Sequence, residues 1–318
     1  MITNGVQGTR DRGVRRHLTD STPSVSIGMP VYNGEQYTRQ ALDSLLAQDH
    51  GDFELIISDN ASTDGTQAIC LEYAAGDQRI RYCRTERNMG ASWNFNRAFE
   101  LSSGEYFMWA GSHDLWAPSF ISACKQVLDT DSSVVLAYPR AARIDGVGET
   151  IIEVVPEFID TRGLPTAHGV RLIVAELCYC TMIYGLYRAS ALRRCRPFQT
   201  CLGPDHVLLT EISTLGAIAQ IPEVLYHTRD YRPPVTGAER KAITLMRLNP
   251  DASKRKQVRP HWGWGLQSLV GAWRVAPLGK KLHLTMVVAH AFYRRWHRAL
   301  KKDLRRPLSL QHCEQPDY

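Results

Sequence analysis

Three short polar segments hold the side chains best suited to chemistry, and each follows an apolar run of strand type. They are residues 32–35 (YNGE), 59–64 (DNASTD) and 112–114 (SHD). Their carboxylates are hard oxygen ligands of the kind that Mg²⁺ and Mn²⁺ prefer. The Ser, His and Asp of the third segment are adjacent in sequence, which argues against a hydrolase triad, because such triads are assembled from distant segments.

Strand and helix patterns alternate five times in the first 140 residues, which predicts right-handed βαβ units and a doubly wound, mostly parallel sheet. Strands are predicted at 24–31, 53–58, 80–84, 105–110 and 133–139, and helices at 35–48, over about ten residues from 66, at 91–100 and at 118–130. The fold class is therefore α/β. Ligands of such sheets bind outside the carboxyl ends of the strands, so the three polar segments should converge on one crevice.

The rest of the chain has weaker patterns. Residues 140–180 have no clear period, and residues 203–228 favour a helix, a short strand and a loop. We interpret both stretches as additions to the same domain. The chain is predicted to divide into an N-terminal tail (1–22), the α/β domain (23–235), a helical extension (236–306) and a C-terminal tail (307–318).

Charge is concentrated near the C-terminus. Residues 251–306 hold 14 Lys and Arg against two acidic residues, whereas residues 1–250 carry a net charge of −4. The N-terminus lacks the apolar stretch of a secretory signal, and no run reaches the ~20 apolar residues of a membrane span, so we expect a cytoplasmic protein. The first strand is not followed by G-x-G-x-x-G, which disfavours a nicotinamide dehydrogenase.

The three segments, extended along the chain, resemble the inverting glycosyltransferases of family 2, which have the GT-A fold. The resemblance rests on MPVYNGE at 29–35, IISDNASTDGT at 56–66 and WAGSHDLWAP at 109–118, in the same order and spacing as in the family. The segment at 88–107 is similar to the family's link between its third strand and its metal motif. The resemblance covers roughly residues 24–230.

The resemblance implies a divalent metal, Mn²⁺ or Mg²⁺, which neutralises the nucleotide diphosphate leaving group. Asp114 matches the final aspartate of the family's metal motif, but the position before it, often another aspartate, is His113. His113 leaves three possibilities: an Mn²⁺-preferring enzyme, a metal held mainly by Asp114 and the diphosphate, or an impaired site. The alternative is that these residues form only a turn before a helix.

The resemblance also implies a nucleotide site. Asp59 would accept a hydrogen bond from the base, Tyr32 would lie against the base, Glu35 would receive a ribose hydroxyl, and Pro30 would fix the backbone of that loop. Asp59 could instead only initiate its turn, and the loop after the first strand could be a plain turn. Asp64, and Ser62 with it, are explained as caps of the following helix.

Four further positions complete the expected site. Asn88 and Asn94 could bind the nucleotide or cap helices. Asp205 is similar to the family's late aspartate, the general base that an inverting transfer requires, but it could also be a helix N-cap. Arg229, or His227 beside it, would clamp the diphosphate; we favour arginine because it pairs with phosphate in a bidentate manner.

The expected partners are a nucleotide-sugar donor, with a UDP-sugar favoured, and a glycan or lipid-linked acceptor. The basic extension could lie on an anionic membrane surface or pack on the catalytic domain with a solvated face. We predict no nucleic-acid partner, although a basic, aromatic segment leaves that alternative open. A catalytically impaired sugar-nucleotide binder is the other alternative, suggested by His113.

Overall fold

The computed structural model describes residues 22–230 and 260–304. The strands in chain order are β1 Val25–Val31, β2 Phe53–Asp59, β3 Ile80–Arg84, β4 Tyr106–Trp109, β5 Leu115–Trp116, β6 Val134–Ile144, β7 Thr150–Ile152, β8 Leu186–Arg188 and β9 Ala217–Arg229. The helices are α1 Thr38–Leu46, α2 Thr66–Gly76, α3 Ala91–Glu100, α4 Phe120–Thr130, α5 Thr166–Glu176, α6 Ala189–Leu192, α7 Pro204–Ser213, α8 Pro260–Val275 and α9 Lys281–Leu304. Apart from Thr22, the two predicted tails lie outside the described residues.

The described strands form one mixed sheet in the order β3-β2-β1-β4-β8-β6-β9-β5, with β7 paired to β6. The first four in that order are mutually parallel, as are β6 and β9, whereas β8 and β5 run antiparallel to their neighbours. The chain reverses its direction across the sheet between β1 and β4, which is the topological switch point where ligands of such sheets bind. The predicted α/β class with a mostly parallel sheet is confirmed.

Helices cover both faces of the sheet, as a doubly wound fold requires. Side chains of α1, α2 and α4 pack on one face, and those of α3, α5 and α7 pack on the other. Alternation along β1 explains this division, because Val25, Ile27 and Met29 are fully buried on the first face. On the other face a Cβ at Gly28 would lie 2.8 Å from the Phe107 ring, so the sheet leaves no room there for a side chain.

The prediction for residues 203–228 is wrong in one element, because β9 is a strand of 13 residues and not a short strand with a loop. It pairs with β6 from Ala217 to Arg229, with a register shift between the pairs Pro139–Ile221 and Arg140–Val224. Pro222 falls in this irregularity, where a residue without an N–H is tolerated. Because of this interruption, the sequence pattern does not indicate one continuous strand. The aperiodic stretch 140–180 likewise contains the end of β6, β7 and the unpredicted helix α5.

The helices predicted near the C-terminus are present as the hairpin of α8 and α9. α8 packs on α7 and α9 packs on α5, around an apolar cluster that includes Trp264, Leu284 and Phe292. Arg196 pairs with the buried carboxylate of Glu211 at 2.7 Å and donates to Gln267 of α8. The described part of the basic extension is therefore packed on the α/β domain. None of the described helices is long and apolar enough to cross a membrane.

Candidate active site

The loops after β1 and β2 are joined by hydrogen bonds, and the segment 112–114 adjoins them at Gly34, so the three predicted segments converge. The Asn33 amide donates to Ser62 Oγ at 3.0 Å, and the Asn33 side-chain oxygen accepts from the Thr63 amide at 2.8 Å. Gly34 donates its amide to Thr66 Oγ1 at 2.8 Å. Asn33 has φ of 50°, a left-handed conformation that asparagine tolerates. These contacts fix the entrance of the crevice.

Glu35 lies at the N-terminus of α2. Its Oε2 accepts from the Gly65 amide at 2.6 Å, where the helix dipole favours a negative charge. Asp64 accepts from the Thr66 amide and hydroxyl, but the N-cap of α2 is Gly65, without a side-chain cap bond. Asp64 therefore lies just before the N-cap, and its predicted role as the cap is not confirmed. Partial burial opposes ionisation of Asp64, but the hydrogen bonds from Thr66 hold its pKa below the usual value. Glu35 itself is exposed, so its role toward a ribose hydroxyl remains a prediction.

Tyr32 and Pro30 have different surroundings. Tyr32 has 47% of its surface exposed, which leaves its ring open to a planar ligand. Pro30 pairs with Ser58 near the end of β1 and sets the backbone that leads into the Tyr32 loop. Both placements are compatible with the predicted nucleotide site.

Asp59 is completely buried at the end of β2. Its Oδ1 accepts from the Ser62 amide at 2.9 Å and the Ser62 hydroxyl at 2.6 Å, and its Oδ2 accepts from Tyr82 at 2.6 Å. Arg84 Nε lies 3.3 Å from the same Oδ2. The carboxylate therefore organises its turn and holds Arg84, and a direct contact with a base would require one of these partners to move.

Asn88 and Asn94 brace the crevice. Asn88 Oδ1 accepts from Asn60 Nδ2 at 2.9 Å and from the Gly90 amide at 2.8 Å, just before α3. The buried Asn94 donates to Ser58 O at 2.8 Å and accepts from the Ser58 hydroxyl at 2.6 Å. Asn94 therefore ties α3 to the carboxyl end of β2, and neither of the two expected roles describes it. Binding of a nucleotide by Asn88 stays a prediction.

Asp114 is buried between β5 and β9. Its Oδ2 accepts from Tyr226 Oη at 2.7 Å, and its Oδ1 accepts from the Arg229 amide at 2.8 Å. Its side chain folds over Gly111, where a Cβ would lie 2.5 Å from Oδ2. His113 Nε2 lies 3.6 Å from Oδ1, and its side chain has 24% of its surface exposed. The pair is thus a buried carboxylate with a partly exposed imidazole at its rim.

These residues can hold a metal ion only in a limited way. In the parts of the chain that the structure describes, no group of three or more His, Cys, Asp and Glu side chains could hold a metal ion. Each Asp114 oxygen accepts a hydrogen bond within the protein, and the His113 side chain is the more exposed of the two, at 24% against 1%. An ion at this position would take most of its ligands from the diphosphate of a bound nucleotide.

Arg229 is 5% exposed and acts as a brace. Its Nε donates to His113 O at 2.8 Å, its Nη1 to Asp145 O at 3.1 Å, and its Nη2 to Gln40 Oε1 at 2.7 Å. The guanidinium also stacks over the Tyr37 ring at 4.6 Å. Clamping a diphosphate would require these bonds to break, so the clamp stays a prediction that this geometry does not favour. The neighbouring His227 is half-buried, and burial lowers its pKa.

Asp205 occupies the first turn of α7 but does not cap the helix. The N-cap is Gly203, with φ of 68° and no side-chain cap bond, and Pro204 begins the helix. A Cβ at Gly203 would lie 2.9 Å from Trp264, so both backbone and packing require glycine there. Burial raises the pKa of the Cys180 thiol, and the negative charge of the neighbouring Asp205 raises it further. The Asp205 carboxylate therefore does not serve as the cap of α7.

Glu157 is a positioning residue that the sequence did not reveal. It is 5% exposed, and its carboxylate accepts from the amides of Tyr179, Cys180, Thr181 and Met182 and from the Thr181 hydroxyl. It thereby fixes the turn that places Cys180 against Asp205. The next residues of that turn lead to Tyr184, whose ring lies 5.5 Å from Tyr226, the partner of Asp114. No local sequence signal marks Glu157, because its partners are more than 20 residues away.

His206 makes the stability of this region depend on pH. Its ring packs against Trp264 with centroids 4.9 Å apart, and burial lowers its pKa to about 4 despite the nearby Asp205 charge. The folded state therefore prefers the neutral imidazole, whereas the unfolded chain titrates near pH 6.5. The free energy of unfolding should be fully retained above about pH 6.5 and fall as the pH drops toward 4, by about 1–2 kcal/mol at pH 5.

Urea unfolding at several pH values checks this prediction in wild type and in His206→Phe, which keeps an aromatic ring against Trp264. The substitution should remove the part of the pH dependence of the free energy of unfolding that comes from His206. His290→Phe, at an exposed histidine, is the matched control and should leave the dependence unchanged. An unchanged slope in His206→Phe would assign the dependence to other groups.

The fold and the strand-end crevice define a protein of the GT-A class. The chain is similar in fold to the crystal structure of S. aureus TarS 1–349 in complex with UDP-GlcNAc, with a TM-score of 0.65. The alignment has 19% sequence identity and covers 90% of this chain and 76% of the TarS chain. At this identity the likeness concerns the fold alone.

Residues 26–194 match the family model described as Glycosyl transferase family 2, and the chain belongs to that family. Among curated relatives, it is 38% identical over 99 residues to TuaG of Bacillus subtilis, named as a teichuronic acid biosynthesis glycosyltransferase. That alignment covers 31% of this chain and 39% of TuaG. The chain is also 37% identical over 113 residues to WcaA of Escherichia coli, named as a colanic acid biosynthesis glycosyl transferase. That alignment covers 35% of this chain and 40% of WcaA. The chain thus spans about two-fifths of the length of these relatives.

Proposed function

We propose that this protein is a glycosyltransferase that moves a sugar from a nucleotide-diphosphate donor to an acceptor hydroxyl with inversion, in the synthesis of a cell-envelope glycan or glycolipid. One observation carries the proposal: the family match over residues 26–194 includes all three strand-end segments. The names of TuaG and WcaA, both of envelope polysaccharide synthesis, support the acceptor class. TarS was crystallised with UDP-GlcNAc, and we propose a UDP-sugar donor here as well.

In this proposal the nucleotide lies across the switch point between β1 and β4. The exposed Tyr32 lies against the base, and the free oxygen of Glu35 faces the ribose. Asp59 acts through Arg84 and the Ser62 turn, since its own oxygens are occupied. The chain binds and orients the donor through loops that are braced by hydrogen bonds to each other, which reduces the ordering cost of binding.

Asp205 is the proposed general base. The acceptor oxygen attacks the anomeric carbon as its proton passes to the Asp205 carboxylate, and the bond from that carbon to the diphosphate oxygen breaks with its electron pair leaving on the diphosphate. One carboxylate suffices because inversion requires a single displacement. The turn held by Glu157 keeps Cys180 against Asp205, so this base is positioned before the acceptor binds.

A divalent ion, Mn²⁺ or Mg²⁺, would supply charge neutralisation for the diphosphate when bound. His113 would hold it from the protein side, and Asp114 would fix the segment that carries His113. The location is proposed to be cytoplasmic and peripheral on the membrane, where a lipid-linked acceptor would be available.

A second candidate function is sugar-nucleotide binding without turnover. His113 stands where the family often has an aspartate, and the Asp114 oxygens are engaged by Tyr226 and Arg229. A site of this kind would hold its metal less firmly than one built from two free carboxylates.

Release of nucleoside diphosphate from UDP-, GDP- and dTDP-sugars, with Mn²⁺, Mg²⁺ or EDTA, tests both candidates on the full chain. We expect slow release from a UDP-sugar with water as acceptor, faster with Mn²⁺ than with Mg²⁺ and lowest in EDTA. Tight binding of a nucleotide sugar with no release under any condition would support the second candidate. No binding of any donor would contradict both.

A further inference from the structure

The outer face of α8 carries a continuous apolar stripe. Trp262, Leu266, Val270 and Trp273 are between 45% and 59% exposed. At about 100° per residue these four positions fall within an arc of about 80°. The opposite side of the helix, with Trp264 and Ala272, is buried against the domain. Large apolar side chains aligned on a solvent-facing side are unusual for a helix whose inner side is already packed.

The outer face of α9 repeats the pattern with basic residues beside it. Leu282, Met286, Tyr293 and Leu304 are 49% to 67% exposed and fall within an arc of about 40°. Exposed cationic or titratable side chains follow along one flank of this stripe, at His283, His290, Arg294 and Lys301. An apolar stripe with Lys and Arg along its margin is typical of helices that lie in a membrane interface.

The two stripes meet at the turn between the helices. Lys281 Nζ lies 5.8 Å from the centre of the Trp273 ring, which joins the end of one stripe to the start of the other. Leu278, in the turn itself, is 86% exposed. We call these stripes and the turn the hairpin face; its apolar residues are Trp262, Leu266, Val270, Trp273, Leu278, Leu282, Met286, Tyr293 and Leu304.

The charge of the hairpin is almost entirely positive. Residues 260–304 contain eight Lys and Arg and a single acidic residue, Asp303. Asp303 is 1% exposed and accepts from the His261 amide at 2.8 Å, so it offers no negative charge at the surface. The hairpin face is therefore apolar at its centre and cationic at its margin.

We infer that the hairpin face docks on an anionic lipid bilayer, with its Trp, Leu and Met side chains at the headgroup boundary and its Lys and Arg side chains on acidic headgroups. A second copy of this chain would bring one cationic margin against another. Nucleic acid would match the charge but gives no partner for the aliphatic stripe. The inference refines the membrane location within the proposed function and does not depend on the transfer reaction.

Docking through this face places the proposed base close to the lipid. α8 packs directly on α7, with Trp264 of α8 against His206 and Gly203 at the start of α7. Asp205, in the same turn, then lies about one helix diameter, ~10 Å, behind the docked face. Such a placement suits an acceptor whose lipid part stays in the bilayer.

Co-sedimentation of the full chain with vesicles tests the inference. Vesicles of phosphatidylcholine with phosphatidylglycerol are compared with pure phosphatidylcholine, at low and high salt. We expect binding to the anionic vesicles that weakens with salt. Partitioning should fall about tenfold for Leu266→Ser with Met286→Ser and for Arg294→Gln with Lys301→Gln. Brominated lipid should quench tryptophan fluorescence in the wild type.

Matched control pairs take exposed residues from elsewhere in the chain. Val147→Ser with Ile151→Ser removes exposed apolar groups, and Arg171→Gln with Arg194→Gln removes exposed charge. Both pairs should bind the anionic vesicles as the wild type does. All these variants should release nucleoside diphosphate at the wild-type rate without vesicles, because none alters the proposed site.

The inference would be overturned by no binding to anionic vesicles, by equal losses in the hairpin and control pairs, or by self-association that the hairpin substitutions abolish without any vesicle binding. Retention on nucleic acid that exceeds binding to anionic vesicles would also overturn it. Vesicle binding by a protein that releases no nucleotide from any donor would leave the docking intact and contradict only the proposed activity.

Discussion

Asp205→Asn is expected to slow release of nucleoside diphosphate from the donor by about 10²–10⁴-fold, while the affinity for the nucleotide sugar changes less than about twofold. The amide has nearly the same shape as the carboxylate but cannot take the proton of the attacking hydroxyl. Asp205 is not the N-cap of α7, since Gly203 is, so the substitution removes no cap. A loss of rate without loss of binding is the mark of a group that acts in the reaction.

Stability measurements separate this effect from misfolding. A negative charge in the first helical turn is worth about 0.3–1 kcal/mol, so urea unfolding of Asp205→Asn should show only that small loss. Asp43→Asn, at an exposed position in α1, is the matched control and should keep the wild-type rate. Wild-type release by a folded Asp205→Asn protein would remove Asp205 from the mechanism and point to a base elsewhere in the crevice.

Asp114→Ala is expected to lower the free energy of unfolding by about 2–5 kcal/mol and to abolish donor release. The truncation leaves the Tyr226 hydroxyl and the Arg229 amide without their buried acceptor. It also frees the segment that carries His113, whose carbonyl is held by Arg229. Both effects follow from one side chain because Asp114 links β9 to the loop before β5.

Graded variants distinguish bracing from direct ligand binding by Asp114. Tyr226→Phe removes one donor and keeps the carboxylate, so it should cost about 1 kcal/mol and leave release largely intact. Release is measured well below the unfolding temperature of each variant. If Asp114→Ala is as stable as the wild type but inactive, Asp114 contacts the metal or the donor directly. If it is stable and active, both roles are wrong.

The sequence was sufficient for the first half of the fold. The elements from β1 to α4, apart from the two-residue strand β5, were predicted within a few residues, because each has its own apolar period and polar boundaries. β9 was not, since Pro222 interrupts its pattern and its strand character depends on pairing with β6. α5 has the composition of a helix but lies in a stretch whose neighbours gave no boundary.

For the site, likewise, the sequence identified several residues but not the partners that surround them. The sequence placed Asp59, Glu35 and Asp114 at strand ends by type and position, and it identified Asp205 by its likeness to the family. It gave no sign that Asp59 and Arg229 would be occupied by neighbours, because those partners lie between 3 and 189 residues away along the chain.

What the sequence by itself determined is the class of fold, the three polar loops and the family, since these depend on local periodicity and on motifs contained in short segments. Tertiary structure decided which side chains remain available. Burial and competing hydrogen bonds turned Asp59, Asn94 and Arg229 inward, left the Tyr32 ring exposed, and placed exposed apolar residues along one side of α8 and along one side of α9. Such outcomes depend on distances between segments far apart in the chain, and no local pattern records them.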